Sequence, residues 1–66
     1  MKPISGKELA KIVERKGWNL VKVSGSHHRY AKSGIRLTIP IHGNKQLKAG
    51  TQAALMKQAG LTEKDL

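Results

Sequence analysis

Three runs of strand-forming residues, separated by turns of only three residues, constrain this chain more than any other feature. "WNLVKV" (18–23), "HHRYA" (27–31) and "IRLTIPI" (35–41) are rich in β-branched and ring-bearing residues. "SGS" (24–26) and "KSG" (32–34) lie between them and read as turns. Connections this short cannot carry the crossover that parallel strands require, so the three runs predict an antiparallel meander. In the third run Ile35, Leu37, Ile39 and Ile41 share one face and Arg36 and Thr38 the other. Pro40 cannot donate to a ladder, so the strand ends or runs at an edge there.

Helical patterns flank the meander. In "PISGKELAKIVERKGW", Ser5 and Glu8 have the spacing of a capping box, and Leu9, Ile12 and Val13 form an apolar stripe. Gly17 is a natural stop. Lys7, Lys11 and Arg15 recur every four residues on one ridge, which suits a phosphate backbone or plain solvation equally. "HGNKQLKAG" (42–50) is a connection. "TQAALMKQAG" (51–60) predicts a second helix that turns Leu55, Met56 and Ala59 inward and ends at Gly60. Thr62 can cap one further turn. Trp18, just after the stop of the first helix, is expected in the core. The predicted order is α-β-β-β-α, a two-layer α+β domain over residues 1–66 with both helices on one sheet face and the other face open.

The 66 residues include no cysteine, so neither a disulfide nor a thiolate metal site supports the fold. No stretch approaches the roughly 20 apolar residues of a membrane span, and the start has no apolar signal run. The expectation is a cytoplasmic protein with no membrane association and no small-molecule cofactor. Thirteen Lys and Arg against four Asp and Glu give a formal charge of +9, which points to a polyanionic partner, chiefly RNA.

"GSHHRY" (25–30) places two histidines after a Gly-Ser turn. Adjacent strand residues face opposite ways. Tyr30, the only tyrosine, belongs against the helices, and His28 shares its parity. His27 and Arg29 then share the open face. Imidazole titrates near pH ~6.5 and can exchange protons at neutral pH. RNA carries its own nucleophile, the 2′-hydroxyl, so a histidine base with a nearby cation could cleave it without a metal. The four carboxylates show no pairing suited to two metal ions, and the three histidines lack zinc spacing with any cysteine. His42, after the third strand, could be a second proton-transfer group or a solvated loop residue. On these grounds a nuclease, a non-catalytic RNA-binding module and a basic protein that docks an acidic partner all stay open.

"GWNLVKVSGSHHRY", "LTIPIH" and "LKAGTQAALMKQAGL" together resemble the HicA (YcfA-like) family of mRNA interferase toxins, over about residues 5–61. The resemblance implies a double-stranded-RNA-binding-like fold and metal-independent cleavage of single-stranded RNA or mRNA phosphodiester bonds. It also implies a partner, a cognate HicB-like antitoxin that covers the active site. The family's Gly-Ser turn maps to Gly25 and Ser26, and its catalytic histidine to the His27/His28 doublet. Strand parity favours His27 within that doublet. Lys22, Arg29, Arg36, Lys45 and Lys48, with Gly25 and Ser26, make up the expected RNA-binding set. A plain duplex-binding domain has a basic cluster at the start of its second helix; here "AGTQAAL" is neutral.

Overall fold

The computed structural model describes residues 1–66. Helix α1 (Gly6–Arg15) is followed by strands β1 (Asn19–Ser24), β2 (His27–Lys32) and β3 (Ile35–Pro40), helix α2 (Ala49–Ala59) and a single 3-10 turn (Glu63–Asp65). This is the expected α-β-β-β-α order, with a three-stranded antiparallel sheet in the order β1-β2-β3.

Local chemistry sets the element ends. The Ser5 hydroxyl accepts from the Glu8 amide at 3.1 Å, and the Glu8 carboxylate accepts from the Ser5 amide at 3.2 Å, completing the capping box. Such a cap contributes about 1 kcal/mol. Gly17, at φ 96°, turns the chain out of α1. Thr62 and Asp65 form a second reciprocal cap around the 3-10 turn. Helix α2 begins at Ala49, two residues earlier than Thr51, and closes on Gly60 in the left-handed conformation.

Both strand connections are tighter than the sequence suggests. Ser24 pairs with His27, and Lys32 with Ile35, so each loop has only two residues and Ser24 and Lys32 belong to strands. Gly25 (φ 58°) alone has positive φ in the first loop, the pattern of a type II′ turn. Ser33 (φ 51°) and Gly34 (φ 79°) both have it in the second, the pattern of type I′. These two turns match the twist of the flanking strands.

The core lies between the helices and the inner sheet face. Tyr30, Leu37 and Ile39 meet Leu9, Ile12 and Val13 of α1 and Leu55 and Met56 of α2, and Trp18 is buried with them. Ile35 has the parity of Leu37 but stays 54% exposed, at the hairpin end of β3 beside the end of α2. Gln52, a polar residue with no exposure, is also part of this packing. Its side chain accepts from the Ile4 amide and donates to the Lys2 carbonyl, fastening the N-terminal segment to α2. Gly6 lies so close to the Pro40 carbonyl oxygen that a Cβ would collide with it, which seats the start of α1 on the end of β3. No β1 residue enters the core, and no helix is long and apolar enough to cross a membrane.

Candidate active site

The Gly25-Ser26 turn aims the histidines. Gly25 has the left-handed conformation, with nothing within 4 Å of where a Cβ would stand, so its glycine serves the backbone and not packing. The Ser26 carbonyl accepts from the Ile41 amide at 2.7 Å, so the loop is tied to the end of β3. His27 therefore starts β2 from an anchored turn, flanked by Ser24 of β1 and Pro40 of β3.

Parity then separates the doublet. Tyr30 is buried, and His28, half-buried, shares its face between Val23 and Ile39. His27 and Arg29 are exposed on the open face. Arg29 pairs with Thr38 on one side and Lys22 on the other. The placement of Lys22 depends on an irregularity. Leu20 pairs with Tyr30 but Lys22 pairs with Arg29, leaving Val21 as an extra residue in β1. An unbroken pleat would put Lys22 on the inner face beside Leu20; the bulge turns it to the open face.

Lys22, Ser24, His27, Arg29 and Thr38 line a small hollow of about 120 Å³ with no hydrophobic wall. None of these five side chains takes part in a hydrogen bond or ion pair within the chain. The carboxylates are all elsewhere. Glu8 caps α1, Glu14 accepts from the Tyr30 hydroxyl at 2.6 Å, Glu63 meets the terminal amine at 2.9 Å and Asp65 meets Lys16 at 2.7 Å. The open face thus holds cations without internal counter-ions.

Two groups outside the hollow have altered acidity. Burial, and then the Glu14 carboxylate, push the Tyr30 phenol above its ordinary range. The Lys16 ammonium, with the Thr62 amide, holds the Asp65 carboxyl below its own. Both lie on the helical side.

Other expected residues are distributed around this site. Gly25 and Ser26 form its turn. Arg36 shares the open face, opposite Ala31, but stands outside the hollow. Lys45 and Lys48 line a separate depression with Pro40, His42, Gln46, Leu47 and Thr51; it shares no lining residue with the first, although Pro40 pairs with His27 across the sheet. Ser24 and Thr38 are additions; they emerge once the register sets them across from His27 and Arg29. No three His, Asp or Glu side chains converge on a common point.

A sequence model described as the HicA toxin of bacterial toxin-antitoxin matches residues 6–61, most of the chain. The chain belongs to the HicA toxin family. The match spans α1 through Leu61 and so includes the whole hollow. The two-layer α-β-β-β-α architecture agrees with the double-stranded-RNA-binding-like fold expected of HicA. A HicA toxin is one half of a toxin–antitoxin pair, so an antitoxin partner follows from membership. A search of curated proteins gave no significant match.

Proposed function

We propose that this HicA toxin is a metal-independent endoribonuclease that cleaves single-stranded mRNA in the cytoplasm, with His27 as its general base. One observation carries the reading: His27 stands exposed beside a cross-strand pair of cations, Lys22 and Arg29, on a sheet face that has no carboxylate. A phosphodiester fits that hollow by charge. Its 2′-hydroxyl, brought within hydrogen-bond reach of the imidazole, gives up its proton to His27. The 2′-oxygen then attacks the adjacent phosphorus, the bond to the 5′-oxygen breaks, and the products are a 2′,3′-cyclic phosphate and a 5′-hydroxyl. Arg29 and Lys22 meet the charge that builds on the phosphoryl oxygens. His28 and His42 lie outside the hollow, and water, which reaches it freely, supplies the proton for the leaving oxygen. Gly25 and Ser26 hold the turn, Arg36 extends RNA contact along the open face, and Lys45 and Lys48 hold the backbone beyond Pro40. The antitoxin is a HicB-like protein.

A second reading, a non-catalytic RNA-binding module, is favoured by the lack of any hydrogen bond that orients the His27 imidazole. Cleavage of a mixed-sequence single-stranded RNA in EDTA separates the two. The nuclease reading expects cleavage by the wild type and by His28→Ala but not by His27→Ala, with RNA affinity retained in all three. Salt-sensitive binding without cleavage by the wild type would leave the binding module.

A further inference from the structure

Strand β1 is the element whose apolar residues nothing covers. Leu20, Val21 and Val23 are 47%, 57% and 52% exposed. Leu20 and Val23 lie on the inner face, opposite Tyr30 and His28, yet the helices cover only the part of that face beyond β1. β1 is also a sheet edge, since it pairs with β2 alone. Its outer side presents free backbone donors and acceptors, a template for another strand.

The occupant is constrained by charge. A lysine and a bulge are the devices that keep edge strands from pairing with themselves, and β1 has both, in Lys22 and Val21. A second copy would also bring a further +9 to a face already free of carboxylates. An acidic strand meets the same bulge, but it is attracted by Lys22 and lowers the positive charge instead of adding to it.

We propose that β1 is a docking edge at which an extended, acidic segment of a protein partner adds as a fourth strand. In such an addition main-chain bonds give affinity and alternate side chains give specificity. Its side chains on the inner face cover Leu20 and Val23. Those on the open face bring carboxylates to Lys22 and to the rim of the His27 hollow. For a HicA toxin the partner is the antitoxin, so the proposal rests on that pairing but not on RNA cleavage.

The test uses the full chain and a peptide of about ten residues that alternates glutamate and valine. Backbone amide exchange is followed residue by residue, with and without peptide. The outward amides of Asn19–Ser24 should slow about tenfold or more, since they pass from open to bonded. An alternating lysine–valine peptide should leave them unchanged. The Lys22→Glu variant, checked for an unaltered fold by circular dichroism, should reverse that preference. Three results would each overturn the proposal. One is no protection of β1 at millimolar acidic peptide. Another is protection that ignores the charge of the peptide. The third is sedimentation showing that the chain self-associates through β1. RNA cleavage by the same preparation is scored separately, so loss of the nuclease reading leaves this result standing.

Discussion

His27 and His28 are adjacent and chemically alike, so the pleat of β2 alone assigns them different surroundings. His27 meets solvent beside Lys22 and Arg29; His28 lies half-buried between Val23 and Ile39. Replacing His27 by Ala should lower the cleavage rate by at least about 100-fold, the usual contribution of a positioned base. His28→Ala should retain cleavage and instead shift the denaturant midpoint downward. Tyr30 carries a prediction of its own. Its phenol donates to the Glu14 carboxylate at the edge of the core, and its raised pKa favours the protonated form in the folded state. The stability this gives is fully present below the unfolded phenol's pH of ~10 and is lost as pH rises toward the folded value. Urea titrations from pH 8 to 11 should show a steep alkaline fall for the wild type and a flatter one for Tyr30→Phe. At pH 7 that variant should be less stable by about 1–2 kcal/mol, for the lost bond to a charged acceptor.

At the scale of elements, the two glycines near the site act for different physical reasons. Gly25 has open space around it, so Gly25→Ala costs the strain of a left-handed alanine, about 1–2 kcal/mol, and disturbs the His27 turn. Gly6→Ala drives a methyl group into the Pro40 carbonyl and should cost about 1–3 kcal/mol of overpacking. Equilibrium unfolding of both variants checks these values. Much of this level was legible beforehand, because local rules govern it: the Ser5–Glu8 box, the stops at Gly17 and Gly60, and the parity of β2 are each decided within a few residues. What escaped is long-range. Gln52 looks like a surface helix residue until its amide is seen to satisfy Lys2 and Ile4, about fifty positions away. The bulge at Val21 carries no sequence signal of its own, yet it decides which face Lys22 takes. Ile35 fits the apolar alternation of β3 but lies at a strand end the helices leave open.

Over the whole molecule, charge is sorted by layer. All four carboxylates sit on α1 or the terminal 3-10 turn, each with a partner, while Lys22, Arg29 and Arg36 stand unpaired on the open sheet face. A phosphate backbone that neutralises such cations releases counter-ions, and each contact adds about 0.7 to the salt slope of single-strand binding. Lys22→Ala and Arg29→Ala should each lower that slope by about this amount when affinity is measured across a salt series. Lys7→Ala, on the helical side, should leave it unchanged. In the proposed reaction His27 activates the RNA's own 2′-hydroxyl. The most direct measurement is cleavage, in EDTA, of an RNA whose cut site has been mapped, beside the same strand with a single 2′-deoxy nucleotide immediately 5′ of the cut bond. The product ends are read by mass spectrometry. Attack by the 2′-hydroxyl should leave 2′,3′-cyclic phosphate ends on the RNA and no cleavage at the deoxy position. Cleavage there, or 5′-phosphate ends from either strand, would contradict it.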